Sequence, residues 1–368
     1  METNPPSESR SPQEPPLATP VFYPPEFYAA RPRRPVWARF LIALLVVGFL
    51  GSVLFNLMFL VLAGMGGLGS DSSVRETFFS HEHDAPNKVA IISVEGTIIT
   101  GEGIVKKQID KAREDESVKA VVLKVDSPGG TITGSDYIHH HLCELVRERE
   151  QEQGGKKFPL VVSMGGLAAS GGYYVSMAVG DTPDAIFAEP TTWTGSIGVI
   201  IPHFDLSKLL NDHGVFDDSI VSERLKDMGS FAKPLTEEER QIFQELVDES
   251  FAQFKDVIKQ GRPKFRKDPG SLDKLATGQI YSAQQALKLG LVDKIGFTEA
   301  AVDRAIELAG LSPGEVTVVK YKPQPSLASL LLGVNARQPS FDLPKLLEMT
   351  APRAYFLCTR VPALVGSQ

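Results

Sequence analysis

The sequence predicts an α/β fold, a mainly parallel sheet flanked by helices, set behind one N-terminal apolar helix. Three observations predict it. The short runs Lys88–Val94, Val118–Val125 and Leu160–Met164 are rich in β-branched residues and stop at glycines or turn residues, as buried strands do. Stretches with helical spacing, Ile104–Glu114 and Thr133–Glu150, lie between them, and strands that alternate with helices favour a parallel sheet. Ahead of all of these, the chain runs from Phe40 to Ala63 without a charge.

Taken in order, residues 1–36 are rich in Pro, Ser and Glu and include Arg31-Pro-Arg-Arg-Pro35. Such a segment buries too little to offset its ordering entropy, so a disordered tail is expected. The uncharged run that follows is 24 residues long. At about 1.5 Å per helical residue it covers the roughly 30 Å hydrocarbon layer of a bilayer. A cleaved signal peptide is the alternative, but the tail is too long for its basic region, the run too long for its apolar region, and no convincing small-residue cleavage site closes it. An uncleaved transmembrane helix over 37–65 is expected. Arg31, Arg33, Arg34 and Arg39 precede it, and only Arg75 follows closely, beside Asp71 and Glu76. Positive flanks stay cytoplasmic, which places the N-terminus inside and the main domain outside the cell membrane. The glycine-rich stretch after Gly64 opens a linker over 66–87, followed by the main domain over 88–310 and an extension over 311–368.

Further along, Ala185–Ala188 and Ser196–Ile200 read as short strands, Asp205–His213 as a short helix and Phe216–Ser222 as a strand. Thr236-Glu-Glu-Glu239 is a capping box opening a long amphipathic helix to about residue 260, and Ser282 caps a helix ending at Leu289. Ser326–Gly333 is too short to span a bilayer. It and the apolar Ala354–Cys358 read as interface helices packing on a neighbouring subunit.

Composition bounds the function. A content of 42% hydrophobic residues supplies a sizeable core, and the net charge of −7 argues against nucleic acid as a partner. Cys143 and Cys358 make neither a disulfide framework nor a metal spacing. Successive side chains of His139-His-His141 point about 100° apart on a helix, which argues against a shared metal. His81-Glu-His83-Asp84 offers only a weak one. No cofactor is expected.

Chemistry concentrates in three stretches. Leu160–Met164 leads through Gly-Gly-Leu-Ala-Ala into Ser170-Gly-Gly and a helix that begins at about Tyr173. Ser170 therefore stands where strand gives way to helix, beside the N–H of Gly171 near the positive end of the helix dipole. Acyl transfer needs such an exposed hydroxyl with amide donors beside it. The same residues could serve only to let the helix pack on the sheet. Asp126-Ser-Pro-Gly129-Gly130 ends another strand, and its paired glycines leave amides free to face a ligand. Two such loops converge at the carboxyl edge of a parallel sheet, where open α/β folds place their sites. Thr194-Gly-Ser196-Ile-Gly-Val199 is the third stretch.

Asp126-Ser-Pro-Gly-Gly130, Ala168-Ala-Ser-Gly-Gly172 and Thr194–Val199, in this order and spacing, resemble the signal peptide peptidase A (protease IV) family of serine peptidases over roughly residues 88–310. More loosely the outline resembles the Clp protease/crotonase superfamily, which implies that fold. Superfamily members with a Ser-His-Asp triad carry the histidine shortly after the nucleophile helix. Ala188–Gly195 contains none, and the resembled family uses a lysine. The resemblance implies a serine endopeptidase with a Ser-Lys dyad that degrades remnant signal peptides and other membrane-associated peptides. It implies Ser170 as nucleophile, Lys226 as general base, amides at Gly129, Gly130 and Gly171 as the oxyanion hole, and Ser196 in support of the lysine. Lys208 and Lys233 are the other candidates for the base. The family usually has a glycine shortly before its lysine, where this chain has Ser222-Glu-Arg-Leu. It also assembles homo-oligomers in which serine and lysine meet across repeats or subunits, and a chain with one copy of each motif would have to oligomerise. The rivals are a crotonase-like acyl-CoA enzyme, which shares the two-amide oxyanion hole, and an inactive membrane scaffold.

Overall fold

Val36–Gly64 forms one unbroken helix, α1, whose segment Arg39–Met58 is long and apolar enough to cross a membrane. Phe40, Leu45, Val47, Phe49 and Leu54 are all exposed. A helix that is apolar on every side has no face to offer water. Within the uncharged stretch that follows Arg39, Asn56 donates back to the Ser52 carbonyl at 2.7 Å. The computed structural model describes residues 36–64, 74–324 and 354–357, which fall in two units, Met1–Met65 and Gly66–Gln368. The expected disordered tail and the helix over Ser326–Gly333 lie outside the described residues.

The second unit is the α/β domain. Its elements in order are β1 (Val74–His81), β2 (Asn87–Glu95), α2 (Ile104–Glu114), β3 (Val118–Ser127), β4 (Gly129–Thr131), α3 (Ile132–Glu152), β5 (Leu160–Ala169) and α4 (Gly171–Ser176). There follow β6 (Ile186–Ala188), β7 (Trp193–Gly195), α5 (Ser207–Asp212), α6 (Glu237–Gly261), α7 (Pro263–Lys267) and α8 (Pro269–Leu275). The last are β8 (Ile280–Ser282), α9 (Ala283–Leu289), β9 (Lys294–Ile295), α10 (Thr298–Ala309), β10 (Val316–Pro323) and β11 (Tyr355–Leu357).

The main sheet runs β1-β10-β2-β3-β5-β6-β9, with β7 and β8 branching from β5. From β10 to β9 every pairing is parallel, while β1 and β8 pair antiparallel. Alternation along the central strands explains why their sequences read as continuous apolar runs. Ala90, Ile92, Val121, Leu123 and Val162 face a layer made by α2, α3, α4 and α6, and Val89, Ile91, Ala120, Val122 and Val161 face α10. A parallel sheet covered on both faces is apolar on both. Each fully buried Ile or Leu contributes on the order of 1.5–3 kcal/mol. The Thr236 and Ser282 capping boxes form as expected, each with the hydroxyl accepting from the third residue's N–H and the Glu239 or Gln285 side chain answering.

Five expectations are corrected. The linker over 66–87 becomes a strand from Val74 on, because β1 finds a partner in β10. The extension past residue 310 contains β10, which lies between β1 and β2 inside the sheet. The strand expected over Ser196–Ile200 is displaced to Trp193–Gly195, and the chain turns at Ser196 with φ +51°. Phe216–Ser222 has no partner strand and stays irregular, with Phe216 and Ile220 exposed. The tail Tyr355–Leu357 is a strand, not a helix, because it pairs antiparallel with β4.

Candidate active site

The carboxyl ends of β3 and β5 meet at Ser170. β5 is held on one side by β3, with Ser127 opposite Ala168, and on the other by β7, with Ala169 opposite Gly195. The Ser170 N–H then donates to the Gly195 carbonyl at 2.8 Å and its carbonyl accepts from Tyr174 at 2.8 Å. These bonds pin the residue at φ 55°, ψ −115°, a conformation that costs a non-glycine residue about 1–3 kcal/mol. The strain turns the chain sharply from strand into α4. Ser170 is only 1% exposed, and its Oγ has no hydrogen-bond partner. Among the described residues it is a buried hydroxyl without a partner.

Around that hydroxyl the glycines are required by close approach. A Cβ on Gly171 would meet Ser135 Oγ and come within 3.1 Å of Gly129 Cα and Gly130 N. A Cβ on Gly129, whose φ is +93°, would meet the Phe356 carbonyl oxygen and lie 2.6 Å from Gly171 N. The loops from β3 and β5 therefore touch backbone to backbone, as the two glycine-flanked turns led one to expect.

Their donors are not equivalent. The Gly129 N–H donates to Ser127 Oγ at 3.1 Å, and that hydroxyl in turn donates to the Gly96 carbonyl at 2.6 Å. Gly129 is thus occupied, which corrects its expected place among the oxyanion donors. The neighbouring Gly129 carbonyl and Thr131 N–H both bond to Ile98, so by strand alternation the Gly130 amide points the other way. The outward main chain of Gly130 faces Phe356 of β11, and the Gly130 and Gly171 amides lie close together. Sequence reasoning passed over Ser127, although a hydroxyl two residues before a glycine is a recognisable local turn signal. It also passed over Asp126, whose carboxylate accepts from Leu167 N–H at 3.1 Å and ties the β5 loop to the β3 loop.

The lysines separate clearly. Lys233 is clamped by Asp227 at 2.7 Å and Glu239 at 2.9 Å, and these bonds raise its pKa above the usual lysine value. Both carboxylates favour its charged form, which argues against Lys233 as the base. Lys226 sits in a turn following Glu223 and is exposed. The protomer does not bring it to Ser170, whose Oγ is unpaired. Lys208, in α5, is exposed as well. Ser196 is buried, its N–H donating to Gln279 at 2.7 Å. The segment carrying Lys226 is unusual for its surface, since Phe204, Leu209, Val215, Phe216 and Ile220 are all more than half exposed.

A second cluster, on α3, resembles a Cys-His pair but lacks its reactivity. Cys143 Sγ lies 3.6 Å from His139 Nε2. Burial pushes the Cys143 thiol up to about 11 and holds His139 down to about 4, so neither the thiolate nor the imidazolium forms near neutrality. On the same helix, His140, His141 and Glu144 bring potential ligand atoms within 4.8 Å of one another. Adjacent helical histidines can thus reach one carboxylate, which the 100° argument did not foresee.

Comparison with known proteins gives a consistent result. A profile described as Peptidase family S49 matches residues 152–312. The chain is 36% identical to a protein of Enterococcus faecium named "Putative signal peptide peptidase SppA", over 69% of this chain and 72% of that one. It is 33% identical to Protease 4 of Haemophilus influenzae, over 67% of this chain and 40% of the relative. With Protease 4 of Salmonella typhi the identity is 33%, over 73% of this chain and 42% of the relative. The chain thus spans about two-fifths of the length of the Protease 4 relatives.

Proposed function

The chain belongs to peptidase family S49, and from that premise we propose that it is a membrane-anchored serine endopeptidase in which Ser170 attacks the scissile carbonyl. The observation that carries this reading is the strained, buried Ser170 with its unpaired Oγ beside the amides of Gly171 and Gly130. A hydroxyl held in that way is set to attack a carbonyl whose oxygen the amides receive.

Lys226 takes the serine proton and returns it to the leaving amine. A lysine does this only when desolvation lowers its pKa toward neutrality, and exposed Lys226 needs a covering surface. The apolar segment around it supplies the reason for one, since large exposed apolar patches mark association sites. A second copy of the chain covers this arm, buries the amine and carries it to a neighbour's Ser170, with Ser196 in support of the lysine. Helix α1 crosses the membrane with its N-terminus in the cytoplasm and the domain outside. The enzyme is thereby held at the bilayer, where remnant signal peptides and other membrane-associated peptides are its substrates.

The test is labelling of the full chain in detergent with a fluorophosphonate serine probe. Wild type should label, and Ser170→Ala and Lys226→Ala should each be silent. A mixture of the two silent variants should regain labelling if the dyad spans two copies. Labelling that survives Lys226→Ala would move the base to Lys208. No labelling of wild type would reject the peptidase reading.

A further inference from the structure

Lys226 lies in an exposed turn, yet that turn is tied to the core through one neighbouring side chain. Lys233 donates to Asp227, the residue after Lys226, at 2.7 Å and to Glu239 at 2.9 Å. Glu239 is only 2% exposed and belongs to the first turn of α6. Its other carboxylate oxygen accepts the Thr236 N–H at 2.9 Å, and the Thr236 hydroxyl accepts the Glu239 N–H at 3.2 Å. The capping box thus fixes Glu239 at the helix start, while Phe254, Val257 and Ile258 bury the far half of the same helix in the core. A buried carboxylate needs a counter-charge. Lys233 supplies it to Glu239 and holds Asp227 with a second N–H.

Other bonds of the turn give no such anchorage. Lys226 N–H donates to the Glu223 carbonyl at 2.9 Å, Met228 N–H to Leu225 at 3.1 Å and Ser230 N–H to Asp227 at 3.1 Å, all within the turn. Ser230 Oγ reaches Asp217 at 3.4 Å inside the same exposed segment. Arg224 and Glu238 pair at 2.5 Å, but both are at least half exposed, and such pairs contribute little.

The charge of Lys233 matters as much as its grip. The turn carries Glu223, Arg224 and Asp227, and the helix start brings Glu238 and Glu239 to it. Arg224 opposes Glu238, and Lys233 opposes both Asp227 and Glu239. An unopposed carboxylate one residue from Lys226 would favour the protonated amine, the wrong form for a base.

We propose that Lys233 is the positioning residue of Lys226: it joins Asp227 to the buried Glu239, so that the turn meets a neighbouring Ser170 in one fixed form and with the Asp227 charge already taken. This rests on the reading of Lys226 as the general base. A fixed approach matters because misplacing a reacting group by about 1 Å can cost about a hundredfold in rate.

The test is the rate of fluorophosphonate labelling of the full chain in detergent, followed from about pH 6 to 10 beside thermal unfolding. Lys233→Met should label roughly tenfold or more slowly than wild type, with a pH midpoint raised by roughly half a unit or more. Lys233→Arg, which keeps the charge and both partners, should recover most of the rate. Asp227→Ala cuts the tie to the turn but leaves Lys233 on Glu239 and the helix cap intact. It should slow labelling with little change in Tm and no upward shift of the midpoint. Added to Lys233→Met, it should cancel that variant's shift. A role in stability alone predicts a lowered Tm for Lys233→Met at the wild-type midpoint and an unaffected Asp227→Ala, and that result would overturn the proposal. Where Lys233→Met fails to fold, Asp227→Ala decides, since labelling at the wild-type rate would overturn the proposal. Lys226→Ala that still labels would reject the base itself, whereas a silent Lys226→Ala with a fully active Asp227→Ala would reject only the part of Lys233.

Discussion

Replacing Ser170 by alanine should abolish the activity and raise the stability of the fold. The hydroxyl is buried without a partner, and an unsatisfied buried polar group costs about 1–3 kcal/mol. Ser170→Ala removes that cost and keeps the backbone strained. Ser170→Gly also relieves the positive φ, worth about 1–3 kcal/mol, less about 0.4–1 kcal/mol for the greater freedom of its unfolded chain. The two effects order the proteins as glycine above alanine above wild type. For a unit of this size each kcal/mol raises Tm by about 2 °C, so Ser170→Ala should gain roughly 2–6 °C in thermal unfolding of the full chain in detergent. Repeating the series with Lys226→Ala makes a double-mutant cycle. If Lys226 reaches the hydroxyl in the assembled protein, the gain from Ser170→Ala will be smaller with Lys226 present than without it. In the Lys226→Ala background, a Tm lowered by Ser170→Ala would refute the reasoning, since it would mean that the hydroxyl is satisfied where the geometry shows it unpaired.

Three further outcomes are expected. Arg262, 8% exposed, bonds Asp293 at 2.8 Å, and Asp293 also accepts from Ala185 and Ile186. Asp293→Ala leaves a buried guanidinium with the Gly290 carbonyl but without its counter-charge and should cost about 3–5 kcal/mol in denaturant unfolding, and a loss below about 1 kcal/mol would contradict the pairing. His139 is held neutral by burial, its folded pKa lowered to about 4. Because this lies below the unfolded value near 6.5, the unfolded chain takes up the proton first, and stability falls as pH drops from about 6.5 toward 4, by up to about 3 kcal/mol. His139→Gln should flatten that part of the pH profile, and an unchanged slope would exonerate this side chain. Gly130→Ala drives a Cβ into the Ile98 backbone, threatening the 2.9 and 2.8 Å bonds that join Ile98 to Gly129 and Thr131. It should cost about 2–4 kcal/mol and silence Ser170 labelling, and a variant that labels at the wild-type rate would show that β4 is free to shift.

What the sequence made legible was local. Leu160–Met164 could be read as a strand because it is β-branched and bounded by glycine, and Thr236 and Ser282 announced their helices through residues three positions away. Ser170 was legible because strand, small residues and helix follow one another within a few positions. What escaped depends on distant partners. Val74–His81 carries Arg75, Glu76 and His81 among its apolar residues and becomes a strand only through β10, as the Thr77 bond to Lys320 shows. Tyr355–Leu357 is three residues long and owes its form to Gly130 and Ile200. The loss of Gly129 as a donor turns on the rotamer of Ser127, which no spacing records. Lys226 is placed by likeness alone, because the protomer leaves it in solvent.

The pairing of β1 with β10 also bears on how the protein is made. On a ribosome, Val74–His81 emerges soon after helix α1, yet its partner follows 243 residues later by the Thr77–Lys320 contact. Until Val316–Pro323 has left the exit tunnel, β1 has nothing to pair with and β2 shows an open edge of unpaired amides, a template for misassembly. Completion of the sheet must therefore wait until β10 has been made, and contacts of such long separation close slowly. A nascent chain stalled before residue 316 would carry strand β5, which leads into Ser170, already made, but its border unfinished. The last main-sheet strand to be synthesised is the one that seals the first.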